Sequence, residues 1–156
     1  MRLAIRNQRG QAMVETGIVV TILVMLTVCI VEFGRLFMVA NMIGHAARDA
    51  ARAAAISIDR DTTTGILNAS ARTNIETQAR DEISVVMPAS NITGSCGSGT
   101  CNNGICFDQQ PAGAVGTAIP TVKVTVCGAI PLITRLMGSS LTVNRTATFR
   151  DEGRGS

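Results

Sequence analysis

Cysteines are the residues of this sequence with the clearest potential for covalent chemistry. Four of the five lie in the second half of the chain: Cys96, Cys101, Cys106 and Cys127. Four thiols could bind zinc, but zinc sites usually contain paired Cys-x-x-Cys motifs, which this spacing lacks. The spacing therefore favours two disulfides over a metal site. Of the three possible connectivities we favour Cys96 with Cys101 and Cys106 with Cys127, because the flexible segment SCGSGTC can close a small ring.

Few other residues offer catalytic chemistry. The one histidine, His45, stands in an alanine-rich stretch, where an isolated histidine is usually structural or solvated. Zinc-protease, nucleophile-elbow and phosphate-loop motifs are absent from the sequence. We therefore expect no enzyme, no cofactor and no bound metal.

Charge and composition argue against a nucleic-acid partner. The chain carries a net charge of +3, and Arg2, Arg6 and Arg9 account for all of this excess. Tryptophan and tyrosine are absent, so aromatic platforms for base stacking are lacking. The basic character belongs to an N-terminal tail, and no nucleic-acid partner is expected.

An uncharged apolar segment follows this tail. It runs from Thr16 to Val31, between Glu15 and Glu32, and would cover about 24 Å as a helix. With flanking residues it can span the roughly 30 Å hydrocarbon core of a bilayer. Basic residues in front of it place the N-terminus in the cytoplasm and the rest of the chain outside. Cys29, inside this segment, is interpreted as a small hydrophobic residue.

Three interpretations of the segment compete. A secretory signal peptide should be followed by a small-residue cleavage site, but EFGRLF follows here. A plain membrane anchor would account for the hydrophobicity alone. Neither explains Glu15, a carboxylate at the start of an apolar helix, where burial of a charge is costly and usually serves a function.

The residues around Glu15 carry a family resemblance. RGQAMVE, with Gly10, Gln11 and Glu15 before an apolar helix, resembles the recognition site of a prepilin peptidase, which cuts after the glycine. The longer stretch from residue 9 to 55 is similar to the TadE-like minor pilins of tight-adherence (Tad/Flp, type IVb-like) pili. The similarity resumes in VKVTVCGAIPLITRLMGSSLTVNRTATFRDE near the C-terminus. Thr16 departs from the bulky apolar residue that usually follows the glutamate.

This resemblance implies a pilus subunit made as a precursor. Residues 1–10 would be the leader, 11–57 a membrane and assembly helix, and 58–156 a periplasmic head. The implied partners are other pilin subunits, the prepilin peptidase, the pilus assembly platform and the cytoplasmic membrane. The protein would reside in the bacterial inner membrane with a single span, and later in the pilus or its base. Glu15 would act in assembly and register.

The patterning predicts an α+β, pilin-like fold. A helix from about 11 to 57 would be roughly 70 Å long. Two alanine stripes at its end, led by Ala46 and Ala47, either pack on the protein's own head or let other helices approach closely. A second amphipathic helix is predicted from about 63 to 87, with an N-cap among Ser57 to Thr64 and a stop at Pro88. A small antiparallel sheet is predicted with strands at 91–93, 105–108, 121–126 and 141–149, of which the last two alternate well enough to be half-buried.

Two other functions fit the same pattern. A pseudopilin of type II secretion would share the leader and helix but not the AARDAARAAA run. A single-pass anchored periplasmic binding domain would never polymerise and would keep its N-terminal residues. Processing at Gly10 separates the two pilin-like functions from this third one.

Overall fold

The computed structural model describes residues 8–61, 64–92, 94, 99–110, 121–133 and 138–151. The chain forms two compact units that divide between Leu36 and Phe37. The first contains the N-terminal part of a long helix. The second contains the end of that helix, a second helix and a four-stranded sheet. The α+β prediction is confirmed.

Helix α1 runs from Gln8 to Ile56 without a break. No proline interrupts it, and three threonine hydroxyl groups in its apolar part form hydrogen bonds with the helix backbone. Thr16, Thr21 and Thr27 each donate a hydrogen bond of 2.8 Å to the carbonyl oxygen four residues earlier. The departure at Thr16 therefore leaves no unpaired polar group in the apolar segment.

The end of α1 packs into the second unit through its alanines. Both stripes are buried, with exposed fractions of 4% or less, at Ala46, Ala50, Ala54, Ala47, Ala51 and Ala55. Ile43 in the same helix is fully buried. Of the two interpretations of the stripes, packing on the protein's own head is the one observed.

Helix α2 spans Ala69–Ser84, shorter at both ends than the predicted 63–87. The residues before it form a turn instead, because Asp61 Oδ1 accepts hydrogen bonds from the backbone N–H and hydroxyl of Thr64 at 2.8 and 3.1 Å. The N-cap residue is Asn68, whose side chain makes no capping hydrogen bond. The predicted threonine cap was therefore wrong, and Thr62 and Thr63 lie outside the described residues. Pro88 follows the helix end, as expected.

The sheet is an antiparallel meander of order β1-β2-β3-β4. Its strands are β1 Thr100–Asn102, β2 Ile105–Gln110, β3 Thr121–Pro131 and β4 Ser140–Arg150. Three of the predicted strands are confirmed, and each extends beyond its predicted bounds.

The strand predicted at 91–93 was wrong. Ala89–Asn91 forms a single turn of 3-10 helix directly after Pro88, and Ile92 enters the core with 1% exposure. Thr93 lies outside the described residues. One proline-initiated turn thus replaces the predicted strand.

Strand β1 was not predicted, because its segment is rich in glycine and asparagine. A β-carbon at Gly99 would collide with the backbone of Phe107, and the residue has φ +95°. Asn103 and Gly104 also have positive φ and close the β1–β2 hairpin.

The main core lies between one face of the sheet and the helices. Val122, Val124 and Val126 of β3 are fully buried, and Ile130 nearly so. A β-carbon at Gly128 would strike the Met87 side chain and touch Ile43 Cδ1 at 3.4 Å. The absence of a side chain at Gly128 therefore lets α1 and the segment after α2 approach the same strand.

Candidate assembly and anchoring site

The N-terminal part of α1 exposes apolar side chains along its length. Large hydrophobic residues from Met13 to Val31 have exposed fractions between 39% and 80%. The helix from Gly10 to Ile56 contains a window of mean hydropathy 2.5, none of it buried, and is long and apolar enough to cross a membrane. A helix that is apolar all round needs an apolar environment, either lipid or other helices.

Gly10, Gln11 and Glu15 lie at the beginning of this exposed segment. All three are exposed, and among the described residues no atom outside the neighbouring residues and the local helix backbone lies within 4 Å of the position a β-carbon would take at Gly10. Because α1 begins at Gln8, the bond between Gly10 and Gln11 lies in its first turn. Helix ends open at little free-energy cost, and glycine lowers helix propensity further. The peptide bond between Gly10 and Gln11 therefore lies where the helix opens most easily.

Glu15 lies one helical turn after Gln11, so the two residues share a helix face. Among the described residues, the Glu15 side chain forms no ion pair or hydrogen bond. Its carboxylate is therefore exposed beside the apolar segment.

The head contains disulfides, but not in the favoured connectivity. Cys101 is bonded to Cys106, whereas the sequence favoured Cys96 with Cys101 and Cys106 with Cys127. The hairpin explains the difference, since β1 and β2 place Cys101 and Cys106 directly opposite each other. Cys127 is also disulfide-bonded, and Cys96 lies outside the described residues. Cys29 is free and exposed on α1.

A buried ion pair that the sequence analysis missed joins the two ends of the head. The guanidinium of Arg60 contacts both carboxylate oxygens of Asp151 at 2.8 Å, with both side chains 6% exposed. The same guanidinium donates to the carbonyl oxygens of Ala54, Ser57 and Gly65. It therefore satisfies carbonyl groups at the C-terminus of α1 that lack helical partners.

The charge of Asp49 on α1 influences the carboxyl group of Glu82 on α2. Partial burial, and secondly the negative charge of Asp49 on α1, raise the pKa of Glu82 on α2 above its usual value of 4.5. No sequence motif indicated this interaction, because the two residues lie on different helices.

The described residues contain no catalytic or metal constellation. No group of three or more potential metal ligands lies together in them. His45 is exposed on α1, and it forms no hydrogen bond or ion pair with other described residues. The chemistry of this part of the chain is that of apolar contacts, disulfides and ion pairs.

In the described part of the chain, one exposed apolar helix is long enough to cross a membrane, and an α+β head with a disulfide follows it. Residues 10–52 match the family model of TadE-like protein. The resemblance seen in the sequence is thereby confirmed over most of α1 and indicates a pilin-like protein associated with Tad pili. This match ends before α2 and the sheet. No curated protein and no solved structure matches the chain.

Proposed function

We propose that this protein is a minor pilin, or pilin-like subunit, of a Tad-type adhesion pilus. The observation that carries the proposal is the unbroken helix α1. Its first part exposes apolar side chains, whereas the alanines of its last part are buried. Such a helix can reside in the membrane before assembly and among other subunits' helices afterwards. The role is structural rather than enzymatic, and the partners are other pilus components.

Processing would convert the membrane precursor into an assembly-competent subunit. A prepilin peptidase would cut between Gly10 and Gln11 and remove the three arginines of the leader. The accessible first turn of α1 supports this site, because a peptidase must draw the scissile bond out of the helix. The leader arginines orient the precursor with its N-terminus in the cytoplasm and its head in the periplasm.

Glu15 would set the position of the subunit in the filament. After cleavage Gln11 carries an α-ammonium group, which is the natural partner of an exposed carboxylate in apolar surroundings. Pairing with the α-ammonium of the adjoining subunit would neutralise both charges and fix the axial register between chains. The exposed Glu15 carboxylate at the start of the apolar segment is the feature that supports this role.

The test is the fate of the chain in cells that make Tad pili. The protein should be found in sheared pili or at their base, with a mass corresponding to a chain that begins at Gln11. A full-length chain that remains in the membrane and never co-purifies with pili would favour an anchored periplasmic domain. A processed chain that co-purifies only with a type II secretion system would identify a pseudopilin of that machine.

A further inference from the structure

Strand β4 forms an edge of the sheet. It pairs with β3 through all eleven of its residues, from Ser140 to Arg150. The strand order ends at β4, so no other strand of the described part of the chain pairs with its second edge. Eleven residues is long for an edge strand, because edge strands in soluble proteins are usually kept short.

The hydrogen-bonding pattern shows which β4 backbone groups point outward. Cys127 N–H donates to the Gly104 carbonyl oxygen, and Leu132 N–H donates to that of Ser139. Since backbone direction alternates along a strand, odd-numbered residues of β3 face β2 and even-numbered residues face β4. In the β3–β4 register, odd-numbered residues of β4 then face β3. The free edge displays the N–H and C=O groups of the even-numbered residues Thr142, Asn144, Thr146 and Thr148.

The free edge lacks three features that often prevent strand addition, namely a proline, a bulge and a short strand, although it carries two arginines. Within β4 there is no proline or glycine, and the register with β3 runs without a bulge. Nine of its residues are exposed, and Ala147 is the one that is buried. Strands of this kind readily accept another strand.

The side chains of β4 indicate what kind of strand would fit. On the face towards the helices, Leu141 and Phe149 remain 45% and 38% exposed. Arg145 lies on the same face, with its Cγ 3.9 Å from the position of a β-carbon at Gly44. Arg145 and Arg150 are the charged residues of β4, which has no carboxylate of its own. Pairing with a second copy of β4 would therefore bring arginines close to arginines, and their positive charges would repel each other.

We propose that the free edge of β4 binds an extended, acidic segment of another polypeptide by β-strand addition. Backbone hydrogen bonds to the even-numbered residues would hold the segment. Its apolar side chains would lie beside Leu141 and Phe149, with a carboxylate opposite Arg145. This inference goes beyond the proposed pilus role, and it stands whether or not the leader is cut.

A synthetic peptide tests the edge directly in the detergent-solubilised full chain. The probe is an eleven-residue peptide of alternating threonine and valine with a central glutamate, and its matched control has a central lysine. Residue-resolved hydrogen exchange should show new protection of the Thr142, Asn144, Thr146 and Thr148 amides with the glutamate peptide. Equal protection by both peptides, or by neither, would overturn the acidic-strand proposal.

Two variants separate edge binding from loss of fold. Asn144→Pro removes an outward N–H and leaves the β3–β4 hydrogen bonds intact, so affinity for the glutamate peptide should fall about tenfold. Asn144→Thr, which keeps the N–H, should bind like the wild type. Arg145→Glu should reverse the preference in favour of the lysine peptide. Unchanged peptide preference in Arg145→Glu would refute the charge complementarity.

The natural occupant can be identified by cross-linking in cells. A photoreactive amino acid at position 144 of the full chain should cross-link to an acidic extended segment of a different protein. Cross-links formed only within the same chain would show that its own residues cover the edge. Cross-links only between identical β4 strands would show self-pairing. Either result would contradict the proposal while leaving the pilus function untouched.

Discussion

Arg60 and Asp151 stand 91 positions apart in the sequence and form a two-oxygen ion pair in the head. Arg60 lies just after the end of α1, and Asp151 directly follows β4. Because the guanidinium also binds three backbone carbonyl groups, this pair connects the C-terminus of the long helix to the last strand. The Arg60 side chain thus binds both the last residues of α1 and the residue that follows β4.

Removing one member of this pair should destabilise the head strongly. Arg60→Met removes the guanidinium from the buried Asp151 carboxylate, and breaking a buried ion pair in this way typically costs about 3 to 5 kcal/mol. The free energy of unfolding of the detergent-solubilised chain can be measured by urea titration with circular dichroism. Arg52→Met, which replaces an exposed arginine of α1, is the matched control and should change stability by less than about 1 kcal/mol. Similar losses in both variants would show that the buried pair has no special role.

The leader should be cut only when position 10 is small. Gly10→Val should accumulate as full-length precursor, because a branched side chain at the scissile bond obstructs the peptidase and stiffens the first turn of α1. Intact-mass analysis of membrane extracts reads the result directly. Gly17→Val is the control, since Gly17 also has open space around it on α1, and it should be processed normally. Normal processing of Gly10→Val would show that the cleavage site was assigned wrongly.

Loss of Glu15 should prevent assembly without preventing insertion. Glu15→Val and Glu15→Ala remove a charge from the apolar segment, so both should insert as well as wild type and still be cut. Incorporation into sheared pili should fall, because the α-ammonium of the adjoining subunit then lacks its partner. Thr16→Val, which removes a neighbouring hydroxyl bonded only within α1, should assemble normally. A Glu15→Val subunit present in pili at wild-type levels would contradict the register role.

Two disulfides should stabilise the head, and their contributions should differ. We expect Cys96 to be the partner of Cys127, since Cys101 pairs with Cys106. In the chain-entropy model the small Cys101–Cys106 ring contributes about 2 kcal/mol and the larger ring about 4 kcal/mol. Two double variants to serine, one for each pair, should each retain one disulfide by intact mass. A sulfur-to-sulfur pairing between Cys96 and Cys101 in the native protein would disprove this assignment.

Glu82 should contribute a loss of stability to the head as the pH rises above 4.5. The pKa of Glu82 is raised by burial and by Asp49, so the folded state holds this proton more tightly than the unfolded state. The stabilisation is present below pH 4.5 and is lost as the pH rises through the folded-state pKa. Glu82→Gln should therefore raise the melting temperature at pH 7 and change it little at pH 4. Asp81→Asn, an exposed neighbour on α2, is the control and should show no such pH-dependent gain.

Composition and periodicity were sufficient for the elements that depend on local sequence. The apolar, proline-free run determined α1 and its fitness for a membrane, and Gly10 and Glu15 beside it pointed to the TadE-like family. Alternation located strands β3 and β4, because half-buried strands carry their pattern in every second residue. Two segments were predicted wrongly. The turn between Asp61 and Thr64 was predicted as the start of α2, and the 3-10 turn after Pro88 was followed by a predicted strand. The apolar residues of such short segments do not show whether the backbone is extended or turning.

Contacts between distant residues were decided by the tertiary structure alone. Cys101 pairs with Cys106 because a hairpin of glycine and asparagine sets them opposite each other, which thiol spacing cannot show. Arg60 forms an ion pair with Asp151 although the two residues lie far apart in sequence, and the charge of Asp49 on α1 reaches Glu82 on α2. The free edge of β4 likewise exists only because β3 is its one described neighbour. A sequence records the preferences of each segment, whereas the pairing of segments depends on the shape in which their apolar faces are buried together.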